Sequence, residues 1–259
     1  MCALQNEEIR AFRGDIHLTR NDVFKILRLG KAFVLFSGGK DSLCLLDYVR
    51  RLARSINKEV VAVHANTTAG FPEVESYVRR VCRKLGVKLV TVRPHGDFFD
   101  LAKRWGIPGV KSRWCCKTLK VAPIRRFLST QQGHKVVFDG IRSAESGIRA
   151  TYIPVWYHPS FRCISASPIF AWSDKKVAQY IERSDLPPNP CANMGTSAEC
   201  WCGAYKGRAD FEALLQAHPD IFDKLVQVEK AQRGKYTFLY ENGRRIELSS
   251  LKTEPTGPR

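Results

Sequence analysis

Apolar residues in this chain follow two spacings that take turns. Short, nearly unbroken runs stand at 32–36 (AFVLF), 59–64 (EVVAVH), 87–92 (VKLVTV) and 135–139 (KVVFD), and each reads as a strand, the first buried on both faces. Between them, Leu45, Val49, Leu52 and Ile56, and then Val74, Tyr77, Val78, Val81 and Leu85, recur at helical spacing, and 118–128 predicts a further helix. Strands alternating with helices predict an α/β domain with a doubly wound, mostly parallel sheet. Ligands of such sheets bind beyond the carboxyl ends of the strands.

Beyond Ile141 the pattern loosens. A helix is expected over 172–184, with Val177, Tyr180 and Ile181 on one face, and Leu186-Pro187-Pro188-Asn189-Pro190 ends it. A Gly- and Cys-containing loop covers 191–207. Phe211, Leu214 and Leu215 begin a helix that Pro219 interrupts and Ile221, Phe222, Leu225 and Val226 resume. Asn242-Gly243 predicts a hairpin turn, and 253–259 a frayed tail. The expected organisation is a helical extension over 1–29, the α/β domain over 30–190, and a smaller, mainly helical Cys-containing part over 191–259.

Composition narrows the class. With 44% hydrophobic residues in 259, the chain has enough apolar surface for a core, which excludes intrinsic disorder. No run of 18 apolar residues exists, so no membrane partner is expected. Residues 1–20 mix charges without the apolar stretch of a signal peptide, which points to the cytoplasm. Lys and Arg number 42 against 25 Asp and Glu, a net +17 that calls for an anionic partner or a solvated basic face. Nine of the basic residues (Lys103, Arg104, Lys111, Arg113, Lys117, Lys120, Arg125, Arg126 and Lys135) fall in 101–138, where no acid occurs.

Ser37-Gly38-Gly39-Lys40-Asp41-Ser42 follows the first strand and opens a helix, the setting that makes a glycine-rich loop a phosphate site rather than a bare turn. Its glycines let the backbone approach an anion and expose N–H donors, and the helix adds the positive end of its dipole. Ser37 and Ser42 supply hydroxyls, while Asp41 either caps the helix or helps hold Mg²⁺. The loop is not of the G-x-x-x-x-G-K-[ST] kind, so γ-phosphate transfer is not implied.

The hexapeptide at 37–42 resembles the PP-loop of the ATP pyrophosphatase superfamily, whose members cleave ATP between the α- and β-phosphates or bind related adenylyl nucleotides. Residues 66–73 (NTTAGFPE) resemble the D-T-G-x-x-F-P-E-T segment of the phosphoadenosine phosphosulfate (PAPS) reductase family, with Asn66 for the usual Asp and Val74 for its Thr. Residues 140–150 (GIRSAESGIRA) resemble that family's G-x-R-x-x-E-S-x-x-R-A loop, and Pro168, Trp172, Tyr180-Ile181 and Leu186-Pro187 its P-x-x-x-W…Y-I…L-P stretch. The resemblance implies a Rossmann-like PP-loop fold and an adenine nucleotide: ATP, adenylyl sulfate or PAPS. It places the nucleotide contacts at Ser37, Gly38, Gly39, Lys40, Asp41, Ser42, Asn66, Thr67, Gly140, Arg142, Glu145 and Arg149. Arg142 and Arg149 would face the phosphate or sulfate end, the alternative being ion pairs with Glu145.

Nine cysteines in a chain of this kind do not suggest a disulfide framework. Cys44 and Cys82 read as small core residues. Cys115-Cys116 lies in the basic stretch, and Cys200-Trp201-Cys202 in the later loop, with Cys191 nearby as an alternate ligand. Thiolates from two loops suit an iron–sulfur cluster, zinc or a redox centre. The adjacent pair resembles that of bacterial adenylyl-sulfate reductases, which implies a [4Fe–4S] cluster on Cys115, Cys116, Cys200 and Cys202. There a later C-x-x-C completes the set, where this chain has C-x-C. Lys117 and Arg113 are expected to lower the thiol pKa values.

The resemblance leaves two reactions and a third class. One is sulfur transfer with α–β cleavage of ATP and Mg²⁺, taking a sulfur or thiol donor protein and a candidate tRNA or DNA substrate held by the basic stretch. The second is reduction of adenylyl sulfate or PAPS, for which the family uses a C-terminal cysteine; no cysteine follows Cys202. The third is a non-catalytic nucleotide-binding adaptor. Candidate catalytic residues are Asp41, Lys40, Arg142 and Cys202, and a homodimer is an open expectation.

Overall fold

The computed structural model describes residues 16–194 and 199–253. Its contacts divide the chain into two units that exchange segments. One takes Met1–Ala65, Glu75–Val92 and Ile124–Asn189, the other Asn66–Val74, Arg93–Pro123 and Pro190–Arg259. Segments 66–74 and 93–123, which fall within the expected 30–190 domain, group with the second unit.

The first unit is built on a six-stranded sheet in the order β3-β2-β1-β4-β6-β5. The strands are β1 (Lys31–Leu35), β2 (Val60–Ala65), β3 (Lys88–Val92), β4 (Lys135–Phe138), β5 (Val155–His158) and β6 (Cys163–Ala166). All neighbours run parallel except β5 and β6, which pair antiparallel as a hairpin at one edge. This hairpin is the element that the loosened pattern after Ile141 hid. β1 lies between β2 and β4, with Ala32 opposite both Val60 and Val136. A central strand of a parallel sheet has no solvated face, which is why AFVLF carries no polar alternation.

The flanking helices are α1 (Arg20–Arg28), α2 (Lys40–Arg54), α3 (Pro72–Leu85), whose first turn belongs to the second unit, α5 (Ala122–Thr130) and α7 (Asp174–Arg183). α1 is the described part of the expected N-terminal extension, and it starts with a capping box between Thr19 and Asp22. On one face of the sheet, Ile124 and Leu128 of α5 close over Phe33, Val63 and Val137. At α2, Asp47 is fully buried and accepts from Arg50, Arg51 and the Tyr180 hydroxyl. Tyr48, Trp172 and Tyr180 meet in one aromatic group, so the W…Y-I pattern is packing that seats α7 on α2.

The second unit holds α4 (Phe98–Trp105), a π-helical turn at Cys116–Val121, α8 (Arg208–Ala217), α9 (Pro219–Ala231) and the hairpin of β7 (Leu239–Glu241) and β8 (Arg244–Ile246). Pro219 is the first residue of α9, where its missing N–H costs nothing, so the interruption expected there is a boundary between two helices. Asn242 (φ +49°) and Gly243 (φ +76°) make the two-residue turn of the hairpin, as expected. Glu229 of α9 anchors that hairpin by accepting from the Thr237 hydroxyl and the Phe238 and Leu248 amides. Of the frayed tail expected over 253–259, residues 254–259 lie outside the described residues. No helix among the described residues is long and apolar enough to cross a membrane.

Candidate functional site

The phosphate-type loop belongs to the first unit and joins β1 to α2. Gly38 has φ +91°, a conformation that side chains other than glycine's rarely take. The Gly39 amide donates to Ser37 Oγ (3.3 Å), and Ser42 Oγ donates to the Gly39 carbonyl (2.9 Å). Asn189 Nδ2 holds the Gly38 carbonyl at 2.9 Å. Gly39 is the N-cap of α2, and no side chain caps it. The first amides of a 15-residue helix are thus left for another acceptor, in a loop whose shape is already fixed.

The loop after β4 meets this one, since β1 and β4 are neighbours. A Cβ on Gly140 would stand 3.2 Å from the Ser42 amide, a contact tight enough that one of the two loops would have to give. Behind it Asp139 is half-buried, accepting from the Ser165 and Ser167 hydroxyls and the Ile141 amide. Burial pushes its carboxyl above the ordinary 3.8, against the pull of those donors.

Arg142 is turned inward, with its side chain 2% exposed. Nη1 donates to the Trp172 carbonyl (3.0 Å) and Nη2 to Asp174 Oδ1 (2.8 Å). Nε lies 2.9 Å from Asp41 Oδ1, yet neither atom meets the other at a hydrogen-bonding angle, so that attraction is coulombic. Burial raises the Asp41 pKa, with Arg142 opposing the rise. Asp41 therefore does not cap α2; it answers Arg142. Arg142, expected to face a phosphate, thus spends one donor of Nη1 and one of Nη2 on the protein. Arg149 pairs with Glu145, whose other contact is the Arg142 amide, and it keeps 41% exposure. Lys40 reaches Asp174 Oδ1 at 2.9 Å. Asp174, at the first turn of α7 and 66% exposed, thus joins Lys40 and Arg142. Its ion pairs hold its carboxyl below the ordinary range.

Asn66 and Thr67 belong to the second unit and shape a turn there. Asn66 Oδ1 accepts from the Thr68 amide and Thr67 Oγ1 from the Ala69 amide. The cysteines at 115, 116, 200 and 202 lie in the same unit. Trp201 is fixed by its amide to the Ala69 carbonyl, by its indole N–H to the Gly70 carbonyl, and by stacking on Phe99. Cys202 Sγ stands 3.6 Å from Cys115 Sγ and 3.8 Å from Cys200 Sγ, and Cys115 also bonds Cys116.

The donor set fits a soft metal centre in kind and number. Among the described residues, however, no three His, Cys, Asp or Glu side chains converge on one ion position. Hydrogen bonds among the thiols split their acidities. Cys115 rises to about 12 through its bond to Cys116, Cys202 to about 11 through its bond to Cys115, and Cys200 also rises through its bond to Cys202. Cys116 is lowered because Cys115 donates to it. The general lowering expected from Lys117 and Arg113 is not found; the cation that helps Cys116 is Lys120, which Glu199 holds at 2.6 Å. Cys191 turns to Glu73 (3.8 Å) instead of joining the four, and burial carries it to about 11.

Asp174, Asn189 and Asp139 were not singled out by sequence reasoning. The Ser173-Asp174 start of a helix was a readable signal for the first.

Residues 31–233 match the family model described as the phosphoadenosine phosphosulfate reductase domain. An uncharacterized protein of Methanocaldococcus jannaschii is 32% identical over 227 residues, 86% of this chain and 46% of that one. The adenosine 5′-phosphosulfate reductase of Rhodococcus erythropolis is 27% identical over 146 residues, 56% of this chain and 58% of the relative. The chain thus spans about half the length of these relatives. Among solved structures, the phosphate complex of phosphoadenylyl-sulfate reductase from Candida auris superposes with a TM-score of 0.57 at 20% identity, covering 76% of this chain and 95% of that one. That likeness shows the fold.

Proposed function

The chain belongs to the phosphoadenosine phosphosulfate reductase family, and from that premise we propose that it is an adenine-nucleotide enzyme of sulfur metabolism that cleaves ATP between the α- and β-phosphates. The observation that carries this reading is the uncapped start of α2 behind a loop that Gly38 and Asn189 hold in shape. Backbone amides of 39–42 would receive the phosphates. Lys40 and Arg149, the exposed cations of the two loops, would neutralise them, while Arg142 positions Asp41 and α7 from behind. An acceptor oxygen attacks the α-phosphorus, the bond to the bridging oxygen breaks, and pyrophosphate leaves with that electron pair. Magnesium carried with ATP would be met by the exposed Asp174 carboxylate together with the nucleotide's own oxygens.

Cys115, Cys116, Cys200 and Cys202 would hold a [4Fe–4S] cluster. When bound, such a cluster supplies electrons or a sulfur-binding iron. The second reading, reduction of adenylyl sulfate or PAPS to sulfite with a thiol donor, is favoured by the Rhodococcus relative's activity and by the acidified thiol of Cys116. Pyrophosphate release from ATP, with and without bulk tRNA, and sulfite release from adenylyl sulfate with a thiol donor separate the two. Pyrophosphate alone supports the first reading, sulfite alone the second, and neither product removes both.

A further inference from the structure

The second unit carries large aromatic rings in solvent beside cations that need no protein partner. Trp105 is 53% exposed, Tyr205 59% and Tyr236 53%. Exposed rings gathered beside one another, unlike rings scattered singly, mark a contact surface. They are also held in place. Trp105 stands edge-on against Trp114 at 5.4 Å, and Trp114 donates its indole N–H to the Gly106 carbonyl. The Tyr236 ring lies 3.9 Å from where a Cβ of Gly106, the residue after Trp105, would be. Gln232 ties the end of α9 to the Ala102 and Lys103 carbonyls at the end of α4. Arg113, beside Trp114 in sequence, lays its guanidinium over Tyr205 at 5.6 Å.

The segments that carry Trp105 and Tyr236 are basic. Lys103, Arg104, Lys111, Arg113, Lys117, Arg233 and Lys235 are exposed, and neither 101–138 nor 230–240 contains an Asp or Glu. Among the described residues, Lys103, Arg104, Lys111, Arg113 and Lys117 enter no ion pair. A small nucleotide needs far fewer cations than this. Exposed rings held in place by their neighbours, with cations outside any ion pair in the same segments, fit a chain that alternates flat bases with phosphates. A duplex hides its base faces and would use only the cations.

We propose that this surface, built on Trp105, Tyr205 and Tyr236 and the cations around them, binds single-stranded nucleic acid by base stacking and phosphate contacts. The inference does not rest on the nucleotide reading, because the phosphate loop belongs to the other unit.

The test is fluorescence anisotropy of the full chain with labelled 20-nucleotide oligo(U) and oligo(dT) and a duplex of equal length, across a salt series. Either single strand is expected to bind more tightly than the duplex. Trp105→Ala and Tyr205→Ala, with unchanged melting temperature, are each expected to weaken single-strand binding at least about fivefold, the effect of one lost stacking partner. Arg113→Glu is expected to make affinity less sensitive to salt. Ile148→Ala, an exposed apolar residue of the first unit, serves as the unaffected control. Equal affinity for duplex and single strand, no binding at low salt, or wild-type affinity in both aromatic variants would overturn the proposal.

Discussion

Replacing Arg142 by methionine removes a buried guanidinium and keeps most of its bulk. The Trp172 carbonyl loses its donor and Asp41 its opposing charge, while the exposed Asp174 loses little, since solvent screens it. An uncompensated buried partner costs roughly 3–5 kcal/mol, and here the raised Asp41 pKa lets the carboxyl take up a proton, which favours the lower end. At roughly 2–4 °C per kcal/mol for a chain of this size, about 3 kcal/mol lowers Tm by roughly 6–12 °C. Scanning calorimetry reads that shift. Adding Asp41→Asn to the variant removes the stranded carboxylate, so the double variant is expected to regain part of the loss. Titration of nucleotide at 10 °C, where the variant remains folded, is expected to retain binding. A melting point within about 2 °C of wild type together with lost binding would refute the reasoning and make Arg142 a direct ligand.

Gly140→Val is expected to abolish nucleotide binding, because its side chain would push into the Ser42 amide, and a titration with unchanged circular dichroism checks it. Asp139 titrates above its ordinary value when folded, so the folded state keeps a proton that the unfolded chain has lost; its contribution is full below about 3.8 and declines as pH rises through the raised value. Wild type should therefore lose Tm relative to Asp139→Asn between pH 4 and 7, and parallel curves would contradict this. In a metal-free, reduced preparation, brief iodoacetamide treatment at neutral pH should label Cys116 ahead of Cys115, Cys200 and Cys202, as peptide mass mapping would show. Glu229→Gln cannot accept all three of its hydrogen bonds, and a loss of roughly 1–3 kcal/mol in denaturant unfolding is expected.

The parallel core was readable because its strands are buried on both faces and therefore apolar without interruption, and because Ser37 to Ser42 sits where such a strand turns into a helix. The β5–β6 hairpin was not readable. VWYH and CISA are short, and pairing with β4, distant in sequence, decides them more than local pattern does. The interleaving of the two units was hidden for a similar reason: nothing local in 66–74 or 93–123 shows which body they pack into. Side-chain direction was least legible of all. A pattern such as G-x-R-x-x-E-S-x-x-R-A names two arginines, but only the structure distinguishes the one buried against Asp41 and Trp172 from the one paired at the surface with Glu145. The four cysteines were found by residue type, whereas the turn of Cys191 toward Glu73 depends on tertiary placement.

The account stands most directly on the phosphate loop. Isothermal titration of ATP, adenylyl sulfate and PAPS into the wild-type chain and into Gly38→Val tests it, since this substitution leaves every charge in place and changes only a residue at φ +91°. At least one of the three nucleotides is expected to bind wild type saturably and one to one, and to lose at least tenfold in affinity in the variant while the circular dichroism is unchanged. Absence of binding by all three, or equal binding to both proteins, would contradict it.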